Sequence, residues 1–331
     1  MKKLYVIGNG FDLYFGLPTN TSDFVKELEK IEFEGFNTAR DKYYSYGVDW
    51  STFEENLANI DLDEINEEVI EGPDYMSDLE SAREAVIWEV EKFTSNLFNA
   101  REEALRKMID NAEKQICEIG STDYADFFDN DGEILSFNYT STVESLFNYN
   151  KAVFHIHGFY DNADELVFGF KSDSAEFGKY KCKLNSSKNA RMQLELKELK
   201  NNNSLSNEEK IQSIKELQYC CEQEWNDPYI DKEYEAIVDF YQRNKKDFQY
   251  EKLTAFLYKI GKIEEVVILG QSLGNVDREY FELIEKILSP NHWVISAYDT
   301  SDILEKEKVC KTYSFKDKSD VFKMSDILMN V

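Results

Sequence analysis

The sequence predicts an α/β protein built on a doubly wound, mostly parallel sheet with large helical insertions. Short, continuously apolar runs such as KLYVI (residues 3–7) and VVIL (266–269) read as strands buried on both faces, the pattern of a parallel sheet. Each run passes straight into a glycine turn, GNGFD at 8–12 and GQSLG at 270–274, and then into helical spacing. Strand and helix patterns alternate over the last third of the chain, and parallel neighbours joined by helices require crossover connections.

The elements follow in order. After KLYVI and its turn, Pro18 closes the loop, and Thr21 or Ser22 caps a helix with Asp23 in its first turn and Phe24, Leu28 and Ile31 as its apolar stripe. Residues 50–71 and 77–119 carry helical periodicity, with Pro73 between them. EILSF (133–137) reads as a strand, a short helix begins near Thr140, and VFHIH (153–157) and LVFGF (166–170) return to strand patterns. Residues 172–250 turn polar, with helical spacing on either side of Asn201–Asn203, and read as a helical insertion. VVILG, a helix at 277–288, the strand HWVISAY (292–298), a helix at 301–308, the strand VCKTYSF (309–315) and a helix at 317–329 complete the chain. The expected division is an α/β core at 1–48, a helical segment at 49–120, core again at 121–171, a mainly helical insertion at 172–255 and the C-terminal part of the core at 256–331.

Composition narrows the function classes. The 331 residues suffice for a sizeable core, and 42% hydrophobic residues with 20 Tyr and 23 Phe exclude a disordered chain. A net charge of −27 repels phosphate backbones and argues against direct nucleic-acid binding. KCKLNSSKNAR (181–191) and RNKK (243–246) concentrate positive charge locally and read as solvated loops. Five cysteines, Cys117, Cys182, Cys220, Cys221 and Cys310, form no C-x-x-C pair and have no histidine at ligand spacing, so no metal site is expected. The apolar run at 4–7 is too short for a signal-peptide core, and no window is long enough to cross a bilayer. A reducing, cytoplasmic setting follows.

A doubly wound sheet binds ligands at the carboxyl ends of its strands, where the strand order reverses. The turns after the apolar runs, GNGFD, NYT (138–140), HG (157–158) and GQSLG, are therefore expected to converge. Gly8 and Gly10 let backbone approach a phosphate closely, or simply make a tight strand-to-helix turn. His155 and His157, two apart, share a face of a regular strand. They are open to reading as packed histidines, as metal ligands, or, for His157 at the strand end, as an acid or base. Asn138 is placed to orient a water or a sugar hydroxyl, or to serve the turn. GQSLG matches the G-x-S-x-G elbow of serine hydrolases, but that triad needs a later histidine on a strand end, and His292 falls at the start of the next strand. Ser272 then reads as a nucleotide contact or a helix cap.

Taken in order, GNGFDLYFGLP, N-Y-T, H-G and ILGQSLGNVD resemble the sirtuin nicotinamide-dinucleotide fold. The chain resembles more closely the AbiH abortive-infection family of bacterial anti-phage proteins, through GNGFD followed by GLP, FNYT, HIHG, the G-x-S-L-x-x-x-D segment and the W-x-x-x-E stretch at Trp50–Glu54. The resemblance implies a Rossmann-like, sirtuin-like core, NAD as substrate or ligand, and cleavage of its N-glycosidic bond to nicotinamide and ADP-ribose. By carry-over, Gly8, Asn9 and Gly10 cradle the diphosphate, Asn138 holds the ribose or the attacking water, and His157 is the base or ribose partner. Ser272 and Thr140 contact the nucleotide, while Asp12 and Asp277 position ribose hydroxyls or cap helices. Thr140 stands where the sirtuin Q-N-x-D turn has aspartate, and no sirtuin zinc cysteines are present. The partners implied are a nucleotide and a phage-derived protein trigger, with a homo-oligomer left open. The competing readings are a non-catalytic nucleotide sensor, a serine hydrolase using Ser272, and a metal-dependent phosphoesterase using His155 and His157.

Overall fold

The computed structural model describes residues 2–32, 53, 54, 57, 76, 79–161, 166–171, 211–213, 215 and 228–329. Its centre is a six-stranded parallel sheet: β1 (Lys3–Ile7), β2 (Glu133–Ser136), β3 (Phe154–His155), β4 (Glu265–Leu269), β5 (His292–Ala297) and β6 (Ser319–Lys323). The strand order is β3-β2-β1-β4-β5-β6, so the direction of winding reverses between β1 and β4. The register pairs Val6 with both Leu135 and Ile268. This is the doubly wound α/β architecture expected.

Alternation along β1 explains the two sheet faces. Leu4 and Val6 join Val266, Ile268, Trp293 and Ile295 in one buried cluster; Tyr5 and Ile7 join Phe11, Phe128, Phe147, Val267 and Leu269 in another. Both faces are covered, which is why the central strands carry apolar residues at successive positions.

Helices α1 (Asn9–Tyr14) and α2 (Thr21–Leu28) follow β1. Asn20, not Thr21 or Ser22, caps α2: its side chain accepts from the Asp23 amide at 2.9 Å, and the Asp23 carboxylate accepts from the Asn20 amide at 3.4 Å. Helix α3 (Glu80–Ile119) runs 40 residues without proline or glycine and stops at Gly120, whose φ of 69° is left-handed. Its C-terminal end packs Ala112 and Ile116 under the sheet. Its earlier turns form a separate helical core with Phe24, Phe53, Phe168 and α5 (Pro228–Arg243). Helix α4 (Thr142–Leu146) follows β2, and α6 (Tyr250–Ile260) runs across the expected boundary at 255/256 to pack on α7 (Arg278–Leu288). Among the described residues no helix is long and apolar enough to cross a membrane.

Three strand expectations are corrected. VCKTYSF is not a strand: Val309 and Cys310 end helix α8 (Thr300–Cys310), and the sixth strand is Ser319–Lys323, followed by α9 (Met324–Met329). Tyr313 and Phe315 owe their aromatic character to core filling, since Phe315 stacks on Trp293 at 4.1 Å and on Tyr313 at 4.9 Å. VFHIH pairs with β2 only at Phe154 and His155 and then turns. LVFGF forms one isolated bridge, Phe170 to Lys245, and beside it Gly169 lies so close to Asn244 that a β-carbon there would sit 1.9 Å from the Asn244 carbonyl oxygen. Of the helix expected at 50–71 only residues 53, 54 and 57 are described, and most of the 172–250 insertion lies outside the described residues.

Candidate functional site

The turns after β1 and β4 interlock at the switch point. The Gly8 amide donates to the Leu269 carbonyl at 2.8 Å and the Gly10 amide to the Gly270 carbonyl at 2.7 Å. Gly270 has a φ of 73°, and a β-carbon on it would lie 2.0 Å from the Phe11 nitrogen. The glycines are thus required by backbone meeting backbone. Of the three residues expected to cradle a diphosphate, Gly8, Asn9 and Gly10, the two glycines have their amides engaged within the protein.

Over this junction opens a cleft of about 460 Å³, within the range of small-molecule sites. Of the residues singled out in the sequence, Asn9, Gly10, Asp12, Asn138, Thr140, His157, Ser272 and Asp277 line it, and Gly8 sits beneath. Asn138 and His157 therefore share one cavity. His155 does not: its ring is held by Glu144 at 2.8 Å and by the Asn138 carbonyl at 2.8 Å, because the chain turns after β3.

The floor is a buried polar network joining GNGFD to FNYTST. Asp12, 1% exposed, accepts from the Thr140 and Thr142 hydroxyls, each at 2.7 Å, and the Asn138 amide donates to the Gly8 carbonyl at 3.1 Å. Thr140 is thus spent on Asp12, and Asp12 caps no backbone amide. Burial pushes the Asp12 carboxyl up to about 6, against the hydrogen bonds from Thr140, Thr142 and Asn138 that pull it down. Because the folded state disfavours the ionised form, stability from this group is full below its ordinary 3.8 and is lost as pH rises through about 6. The loss amounts to roughly 3 kcal/mol at about 1.4 kcal/mol per pH unit. Urea denaturation from pH 4 to 7 should show wild type losing this contribution while Asp12→Asn does not; parallel stability curves for the two proteins would refute it.

The wall is a charged cluster that sequence reasoning missed. Lys246 Nζ lies 3.0 Å from Asp277 Oδ1 and 3.4 Å from Glu54 Oε1, its side chain 5% exposed. The RNKK segment therefore does not end in solvent: Lys246 is a buried cation. Glu54 also accepts from the Gly169 amide at 3.4 Å. Gln271 Nε2 donates to Asp277 Oδ2 at 3.4 Å, and Gln271 Oε1 accepts from the Ser272 amide at 3.1 Å. Asp277 makes no side-chain cap to α7; its partners are Lys246 and Gln271. Burial works to lower the Lys246 ammonium, but Asp277 and Glu54 outweigh it and hold it above its ordinary value. Burial likewise opposes ionisation of Asp277, and Lys246 overcomes it, holding that carboxyl below its ordinary range. Glu54 goes the other way: burial pushes it up to about 7, with Lys246 opposing and Asp277 adding. The one available signal was the W-x-x-x-E stretch that ends at Glu54.

His157 faces this cluster. It is 4% exposed, its Nε2 lies 3.9 Å from Asp277 Oδ1, and that nitrogen has no hydrogen-bond partner. Burial first, and the Lys246 cation second, push the imidazole down to about 3, while the Asp277 carboxylate and then a hydrogen bond to the Phe137 backbone oppose them. The ring is neutral, with its proton on the nitrogen that faces the Phe137 carbonyl, and Nε2 presents a bare lone pair. Phe137 and Tyr280 hold it edge-on at 5.0 and 5.5 Å.

Ser272 lacks the features of a nucleophile. It is exposed, its Oγ accepts from the Gly274 amide at 3.3 Å, and no described base reaches it. The left-handed residue of the turn is Leu273, φ 59°, not Ser272. His292 sits at the amino end of the sheet, between Glu265 and Asp320. Among the described residues no group of His, Cys, Asp and Glu is arranged to hold a metal ion.

No curated protein and no solved structure shows significant similarity to the chain. A family model described as bacteriophage abortive infection AbiH matches residues 4–297. That span takes in β1 to β5 with the glycine turns, the Asp12 floor and the Glu54–Lys246–Asp277 wall, and on it the chain belongs to the AbiH family of phage abortive-infection proteins.

Proposed function

We propose that the chain serves abortive infection by hydrolysing the N-glycosidic bond of NAD, releasing nicotinamide and ADP-ribose. The observation that carries this reading is the bare, buried Nε2 of His157 opposite Asp277 in a cleft at the switch point. Two acceptors facing across 3.9 Å call for a donor between them, and a ribose hydroxyl supplies one. Asp277, kept ionised by Lys246, lies where a positive oxocarbenium-like ribose would be stabilised. Asn138 lines the same cleft while bracing the Gly8 turn. The dinucleotide would have to find its phosphate donors elsewhere than at Gly8 and Gly10, whose amides are taken.

The test is nicotinamide release from NAD by the purified chain, alone and with lysate of phage-infected cells. His157→Ala is expected to cut the rate by about 10²-fold or more, and Asn138→Ala to cut it with some loss of stability. Full activity in His157→Ala would refute the assignment.

A second reading, a non-catalytic nucleotide sensor, is favoured by Lys246. This cation ties Glu54 and Asp277 together, and so ties both helical insertions to the core. A nucleotide that displaced it would move the helical layer. Tight nucleotide binding without turnover, with the infected lysate present, would select this reading.

A further inference from the structure

Resting on the hydrolase reading, we propose that Glu54 is the catalytic base of the cleft, taking the proton of the attacking water, while Asp277 is the fixed carboxylate that faces the developing ribose cation. The geometry behind this is one lysine shared by two buried carboxylates. Lys246 donates to Asp277 at 3.0 Å and reaches Glu54 at 3.4 and 3.5 Å, and both carboxylates line the cleft that His157 enters. The closer contact fixes the charge on Asp277; the longer ones leave Glu54 free to gain and lose a proton. Two carboxylates whose surroundings drive them apart divide into a proton carrier and a permanent anion.

Burial and Lys246 lower the basicity of the His157 ring to about 3, so Glu54 is the stronger base of the two. Burial sets Glu54 at about 7, where a base works best at neutral pH. The charged groups acting on Glu54 are Lys246, from the segment after α5, and Asp277, before α7. The neighbouring titratable groups are Tyr139, held by burial above its ordinary value, and Tyr280, raised to about 12; both stay protonated.

The step balances without a further reactant. Water oxygen bonds to C1′ of the nicotinamide-bearing ribose as the C1′–N bond breaks. Its electron pair leaves with nicotinamide and discharges the ring cation. The water proton passes to Glu54 and from there to solvent.

Nicotinamide release by wild type, Glu54→Gln and Asp277→Asn, measured from pH 5 to 9 with NAD affinity and thermal melting in parallel, tests the assignment. Wild type should show an ascending limb near pH 7, falling about tenfold per pH unit below it. Glu54→Gln should lose about a hundredfold in kcat, with little change in affinity, and should lack that limb. Asp277→Asn should slow turnover and move the limb to lower pH, because the Asp277 charge helps raise Glu54. A Glu54→Gln protein that is folded, binds NAD and keeps the wild-type rate and profile would overturn the role of Glu54 while leaving the hydrolase reading intact. No turnover by wild type under any condition, the infected lysate included, would overturn the hydrolase reading and the role of Glu54 with it.

Discussion

Lys246→Met should destabilise the fold by about 3–5 kcal/mol, read as a lowered midpoint in urea or thermal denaturation at pH 7, because it leaves two buried carboxylates without their cation. Lys246 is 9% exposed, and Asp277 and Glu54 draw their compensating charge from it. Methionine matches the aliphatic stem, so the loss reports the charge and not the packing. Adding Asp277→Asn to the variant should recover part of the loss, since removing both partners is cheaper than stranding one. Because Lys246 holds Glu54 down, Glu54 in the variant titrates above about 7, and lowering the pH toward 7 should narrow the gap as Glu54 there takes up a proton. A single variant within about 1 kcal/mol of wild type would show that the cluster is effectively solvated.

Gly270→Ala should cost roughly 2–5 kcal/mol, combining left-handed backbone strain with overpacking, and should abolish ligand binding. The residue has a φ of 73°, and its β-carbon would lie 2.0 Å from the Phe11 nitrogen and 2.5 Å from the Gly10 carbonyl carbon, atoms of backbone that cannot swing aside. Relief requires separating the β1 and β4 turns, which breaks the Gly10-to-Gly270 hydrogen bond and displaces Gln271 and Ser272 from the cleft. Gly120 provides the control: its φ is 69°, nothing lies within 4 Å of the added carbon, and its alanine variant should cost only the backbone term of about 1–2 kcal/mol. Equal losses at the two positions would refute the interlocking of the turns.

The central strands and their turns were legible in the sequence because their signals are local. Residues 4–7 and 266–269 are apolar at successive positions, and glycine at 8, 10 and 270 marks where the chain turns tightly. From those strands the order of the site turns followed, and eight of the nine residues given nucleotide-binding or catalytic roles line one cleft, while Gly8 lies beneath it and His155, singled out beside His157, points elsewhere. Edge elements were misread for an equally local reason. β6, SDVFK, is a half-exposed edge strand with polar residues, whereas VCKTYSF is rich in β-formers that serve as a helix end and an aromatic plug.

What the sequence by itself determined is the parallel sheet and the turns that gather at its strand ends, because apolar runs and glycines constrain their own neighbourhood; the strand order that puts the reversal between β1 and β4 came from the structure. What only the tertiary structure decided is the charge in the cleft. Lys246 stands 192 positions from Glu54 and 31 from Asp277. Their proton affinities, and that of His157, are set by burial and mutual distance, which exist only once the helical layer has closed over the strand ends.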